Sequence, residues 1–167
     1  MNSCKNSFTL KQMSLHFKRR LRFYNFFDLY TQQIISVSDR TIEHVLPVSK
    51  IPRRAINDPF NLFVISRTIN SFRSNYRFGG EIDEIHSCPH QFQEIGKCYR
   101  STGKKIFYPR YGHRIIARVG CYMLDKYPNL REEDFFEDGV LDQWNKRNFT
   151  PIERWIYDLH IDLLLRR

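Results

Sequence analysis

Glu43 and His44 stand side by side in the run Arg40-Thr-Ile-Glu43-His44-Val-Leu-Pro47, and Asn61, Asn70 and Arg73 follow at short intervals. A Glu carboxylate and an Asn amide oxygen are hard donors of the kind Mg²⁺ accepts, the ion keeping several waters and taking phosphate oxygens for the rest. A neutral imidazole, with an unperturbed pKa of about 6.5, can take a proton from water near neutral pH. Such a metal would offset the negative charge that grows at phosphorus while the base makes the nucleophile, which is what phosphodiester hydrolysis needs. A Glu-His pair by itself is an ordinary structural pair. The company of Asn61, Asn70 and Arg73 is what points to a site.

These side chains can meet only if the chain folds back twice. Thr41–Leu46 alternates and is β-branched at intervals, which predicts a short strand stopped by Pro47. Neighbours on a strand face opposite sides, so Glu43 and His44 can share a site only near a strand end, and Pro47 supplies one. A second apolar run, Leu62-Phe63-Val64-Ile65, follows the turn signal Asn57-Asp58-Pro59. Ser66 then suits the N-cap of a helix running to about Asn75. On that helix Ile69, Phe72 and Tyr76 continue the face begun by Ile65, while Arg67, Asn70, Ser71 and Ser74 share the other.

Elsewhere the pattern predicts a helix over residues 9–33, with Leu10, Met13, Phe17, Leu21 and Tyr24 in step. Residues 79–110, broken by Gly79-Gly80, Gly96, Gly103 and Pro109, read as a loop-rich insertion. Helices are expected at about Gly112–Tyr127, more weakly at Phe135–Trp144, and after Thr150-Pro151-Ile152-Glu153, which has the form of a capping box. The expectation is one α+β domain, mainly helical. It comprises a basic N-terminal segment (1–38), a strand–strand–helix core (39–78), the insertion (79–110) and C-terminal helices (111–167).

The chain has 167 residues and a formal charge of +9, and 15% of its residues are aromatic. That aromatic content excludes a disordered tail, and the absence of a long apolar run excludes a membrane span. The positive charge is segregated. Residues 45–80 hold Lys50, Arg53, Arg54, Arg67, Arg73 and Arg77 against Asp58 alone, and residues 100–118 hold six basic residues and no acid. A basic face of this kind suits a polyanion, and a solvated surface without a partner is the plain alternative. The first residues lack the pattern of a secretory signal, so an intracellular chain with free thiols is expected. A Cys88–Cys98 disulfide stays open. So does a Zn²⁺ site from His86, Cys88, His90 and Cys98, although its spacing is irregular for a structural site.

The sequence resembles the endonuclease I group of non-specific nucleases, which carry a ββα-metal (HNH-like) active site. Glu43-His44-Val45-Leu46-Pro47 is similar to that family's EHVVP signature, and Phe60-Asn61-Leu62 to its HNL segment, with Phe60 in place of the usual His. Asn70-Ser71-Phe72-Arg73-Ser74-Asn75-Tyr76 is similar to its N-x-x-R-S-N-[YF] helix. The run from Pro109 to Arg118, then Tyr122-Met123, resembles its P…G-x-I-A-R…Y-M helix, and Trp144-Asn145-Lys146 matches more weakly. Four blocks in the family's order over residues 39–156 make a specific signal.

The resemblance implies a ββα-metal finger with His44 as general base and Glu43 and Asn70 as the ligands of one Mg²⁺, for which Mn²⁺ or Ca²⁺ could substitute in binding. It implies that Asn61 braces the loop holding His44, and that Arg73 is a phosphate contact or part of the scaffold. Arg53 and Arg54, between the two strands, stand where the family binds the scissile phosphate, and Arg77 and Arg118 are further phosphate-binding candidates. The implied activity is Mg²⁺-dependent, largely sequence-non-specific hydrolysis of DNA, with RNA a further substrate, leaving 5′-phosphate ends. The alternative is a nuclease-derived nucleic-acid-binding protein without turnover. A monomer is expected, because the aromatics of the N-terminal segment need burial against the core.

Overall fold

The computed structural model describes residues 25–80 and 89–165. The expected helix therefore lies outside the described residues up to Tyr24, and the part that is described is not helical. Phe26–Phe27 (β1) pairs antiparallel with Ile34–Ile35 (β2) across a tight turn. The turn is built by Asp28, whose Oδ1 accepts from the backbone N–H of Tyr30 and Thr31, both at 2.9 Å, and from the Thr31 hydroxyl. A short carboxylate that satisfies two successive N–H groups offers the backbone a better alternative than the next helical turn.

Arg40–His44 (β3) runs antiparallel to Leu62–Ser66 (β4), with Glu43 opposite Phe63 and His44 opposite Leu62. Helix Arg67–Arg73 (α1) follows at once, its first turn capped by the Ser66 hydroxyl, which accepts from the Ile69 N–H. It stops earlier than Asn75 because Ser74 takes a left-handed φ of 56°, while its N–H still donates to the Asn70 carbonyl.

Residues 89–110 correct the reading of a loop-rich insertion. Gln93–Ile95 (β6), Cys98–Ser101 (β7) and Ile106–Tyr108 (β8) join Arg77–Phe78 (β5) in a sheet of order β5-β8-β7-β6. Gly96 and Lys97, both at φ near 60°, form the two-residue turn between β6 and β7. The glycines mark hairpin corners, and strands of three or four residues are too short to show alternation between them.

The C-terminal half is helical. Gly112 opens helix His113–Lys126 (α2) at φ 83°, where a Cβ would meet the Leu29 carbonyl at 2.6 Å. The expected helix from Phe135 shortens to Val140–Asn145 (α3). Phe135 and Phe136 are instead drawn into the core beside Phe78, with Phe136 bridging to that strand residue. Helix Pro151–Leu165 (α4) begins with reciprocal bonds: Thr150 N–H donates to Glu153 Oε2 at 2.8 Å, and Glu153 N–H to Thr150 Oγ1 at 3.1 Å. The core gathers around Phe78, whose ring touches those of Tyr30, Phe107, Phe136 and Trp144 at centroid distances of 5.6–6.3 Å. The architecture is α+β, with more helix than sheet. Among the described residues no helix is long and apolar enough to cross a membrane.

One buried histidine gives this core a pH dependence. His160 of α4 stacks on Phe63 at 4.1 Å, is 5% exposed, and its Nε2 has no partner. Burial lowers its pKa to about 4, against the pull of a bond to the Pro59 backbone. A folded pKa below the unfolded value gives stability that is full above about 6.5 and is lost as pH falls toward 4, by about 3 kcal/mol for this group. Urea unfolding of the wild type and His160→Phe between pH 7 and 4 should show that difference. Identical acid dependence in the two proteins would contradict it.

Candidate active site

β3, β4 and α1 bring the candidate residues together through the backbone of β3. One face of α1 donates to carbonyls of that strand and of the residue just after it. Asn70 Nδ2 donates to Ile42 O at 3.2 Å, and Arg73 donates to His44 O at 3.3 Å and Val45 O at 2.5 Å. The Ser66 cap fixes where α1 begins, and the three-residue step from Asn70 to Arg73 keeps both on the strand side.

The long connection after His44 is held at its root by Asn61, which is completely buried. Its Oδ1 accepts from Leu46 N–H at 2.7 Å, its Nδ2 donates to Leu46 O at 2.9 Å, and its carbonyl accepts from Val45 N–H. Asp58 sets the turn that carries Asn61. Its Oδ1 accepts from Phe60 N–H, and its Oδ2 accepts from Tyr127 OH and Lys126 Nζ at 2.8 Å and from Tyr122 OH at 3.2 Å. Phe60 packs on Tyr122 at 4.8 Å.

His44 Nε2 lies 3.0 Å from the Ile56 carbonyl. A carbonyl only accepts, so this nitrogen carries the hydrogen and the neutral ring presents its lone pair at Nδ1. Burial lowers the pKa of His44, and the Arg73 charge pushes the same way against the Ile56 bond. The ring is therefore neutral at pH 7 and oriented by one nitrogen, as a general base must be.

Glu43 turns to different neighbours. It is 3% exposed, and both Tyr30 OH, at 2.8 Å, and Arg73 Nη1, at 3.2 Å, engage its Oε1. Burial raises its pKa above the ordinary carboxylate range, against the Arg73 charge and the Tyr30 hydroxyl. Arg73 is itself 1% exposed and lies 4.7 Å over the Phe78 ring, with its Nε unpartnered. A guanidinium so enclosed serves the scaffold of Glu43 and of the strand end; it has no surface to offer a phosphate.

Among the described residues no three His, Cys, Asp or Glu side chains converge on one point. An all-protein metal cage is therefore not formed there. Glu43 and Asn70 would supply two donors of a looser site: Asn70 anchors through its amide nitrogen, and Tyr30 and Arg73 share one Glu43 oxygen while the His44 N–H also bonds the carboxylate. Two hard oxygens with water and phosphate completing the shell is the Mg²⁺ pattern. A Zn²⁺ site using Cys98 does not fit. That thiol is fully buried, donates to Tyr30 O, and has its pKa pushed up to about 12 by burial. His86 and Cys88, and with Cys88 the proposed disulfide, lie outside the described residues; Cys98 is a free cysteine.

Of the remaining candidates, Arg53 and Arg54 are exposed on a short turn of the β3–β4 connection, with Arg54 5.9 Å from the Tyr127 ring. Arg77 donates to Glu133 O at 3.3 Å, away from β3. Arg118 is exposed on α2, against Phe149 and Tyr157. Sequence reasoning missed Tyr30 and Asp28, and it read Asp58 as a turn residue without its bonds to Tyr122, Lys126 and Tyr127. Asp28, followed at three residues by Thr31, carried a turn signal; nothing in the spacing announced Tyr30. No protein-family description matches the chain, and no curated protein matches it.

Proposed function

We propose that the chain is a Mg²⁺-dependent, largely sequence-non-specific endonuclease of the ββα-metal type, similar to the endonuclease I group, acting on DNA, with RNA the alternative substrate. The observation that carries the reading is the fixed neutral His44, with Nε2 on the Ile56 carbonyl and Nδ1 left as a base, one residue from Glu43 on the strand that Asn70 grips. In this reading Glu43 and Asn70 hold the metal, which when bound would offset charge growing on the phosphate. His44 Nδ1 takes the proton of the attacking water. Asn61 keeps the strand end and the loop root in place, and Arg73 holds Glu43 and the carbonyls of His44 and Val45. Arg53 and Arg54, exposed on the connection between β3 and β4, are the candidates for the substrate phosphate. Action inside the cell accords with the free thiols of Cys98 and Cys121.

A second reading, a binding protein without turnover, is favoured by one observation. Glu43 is nearly sealed and already neutralised by Arg73. Supercoiled plasmid separates the two. The nuclease reading expects nicking with Mg²⁺ that EDTA stops. Salt-sensitive binding with no nicking in Mg²⁺ or Mn²⁺ would establish the binding protein instead.

A further inference from the structure

Three guanidinium groups collect on one phenyl ring at the junction of α2 and α4. The Cζ atoms of Arg154, Arg118 and Arg114 lie 4.3, 5.7 and 5.9 Å from the centroid of Phe149. Arg118 is also 5.1 Å from Tyr157, whose ring leans on Phe149 at 5.4 Å. Arg114 and Arg118 are four residues apart on α2, a spacing at which like charges destabilise a helix, and Arg154 adds a third cation from α4.

Among the described residues, Arg114, Arg118 and Arg154 take part in no ion pair. Glu153 is buried and gives its two oxygens to the backbone N–H groups of Thr150 and Arg114. Asp158, one turn beyond Arg154, is exposed and makes no ion pair with it, and Asp142 is taken by Lys146. Arg114 spends one donor on Asn145 Oδ1. Stacking uses the faces of guanidinium groups and leaves their N–H edges for another partner.

We propose that Arg114, Arg118 and Arg154, gathered on Phe149, form a phosphate-binding cluster that grips the backbone of a nucleic acid. Guanidinium forks match phosphate oxygens in pairs, and several such forks in one patch suit a polyanion with closely repeated charges. The placement also leads toward the candidate site. Arg114, Arg118 and Tyr122 follow one another at four-residue steps along α2, and Tyr122 packs on Phe60, the neighbour of Asn61. The inference rests on the nucleic-acid reading above but not on turnover.

Fluorescence anisotropy of a labelled DNA duplex, titrated in EDTA over a salt series, tests it. The double variant Arg118→Gln/Arg154→Gln is expected to bind about tenfold or more weakly near about 0.1 M salt, with a log–log salt slope shallower by about two. The charge-matched control Lys97→Gln/Arg131→Gln, at exposed positions elsewhere, should keep nearly the wild-type slope. All four positions lie at the surface or on an exposed turn, and circular dichroism verifies that both variants fold. Equal slopes for the two double variants would overturn the cluster, as would a wild type that does not bind the duplex. Because no metal is present, a chain that binds through these arginines yet never nicks plasmid still upholds the cluster while refuting the nuclease reading.

Discussion

His44→Ala is expected to slow Mg²⁺-dependent plasmid nicking by about 100- to 10,000-fold, the usual contribution of a positioned general base, with thermal unfolding little changed. The ring is half-buried, and its one hydrogen bond goes to the carbonyl of Ile56 in an irregular segment that the Asn61 bonds hold independently. The pH profile carries the same information. Because burial holds the imidazole below its ordinary pKa, the base form persists under mildly acid conditions. The acid limb of the rate should therefore fall below pH about 6.5 rather than above it. A His44→Ala protein that nicks at the wild-type rate would remove the imidazole from the chemistry.

Arg73→Met is expected to cost about 3–5 kcal/mol of stability, the effect of breaking a buried ion pair from one side. Its removal leaves the buried Glu43 carboxylate without a counter-charge, held only by the Tyr30 hydroxyl and the His44 N–H, and deprives the carbonyls of His44 and Val45 of their side-chain donor. Met keeps most of the volume over the Phe78 ring, so the loss is electrostatic rather than a cavity. Adding Glu43→Gln should recover part of the loss, because a neutral amide no longer demands a counter-charge. Denaturant unfolding of the two single variants and the double variant closes the cycle. Strict additivity would mean that the pair is not coupled.

The segment that builds the candidate site was the most legible part of the chain. Pro47, the Asn57-Asp58-Pro59 turn and the Ser66 cap are local signals, and each marks a boundary within two residues of where the structure has one. The Thr150–Glu153 cap was legible for the same reason. The small sheet was not. β6, β7 and β8 are strands of three or four residues whose pairing is decided across the sheet, and β5 pairs parallel with β8 where Phe78 meets Phe107. The turn after Phe27 defeated the helical periodicity because the Asp28 carboxylate also reaches the N–H of Ser66, a partner distant in sequence. The sealing of Glu43 was hidden likewise. Its partners Tyr30 and Arg73 come from either side of the hairpin, and an arginine on a short polar helix face carries no local sign that it will be buried.

If Glu43, His44 and Asn70 surround one divalent ion, as proposed, a bound paramagnetic ion must act on their amides. Paramagnetic broadening by Mn²⁺ of the amide signals of an isotope-labelled chain tests it without any need for turnover. Broadening is expected to centre on residues 42–44 and 70 at low Mn²⁺, to be reversed by excess Mg²⁺ and to be abolished in Asn70→Ala. Broadening confined to other parts of the chain, or unchanged in Asn70→Ala, would contradict it.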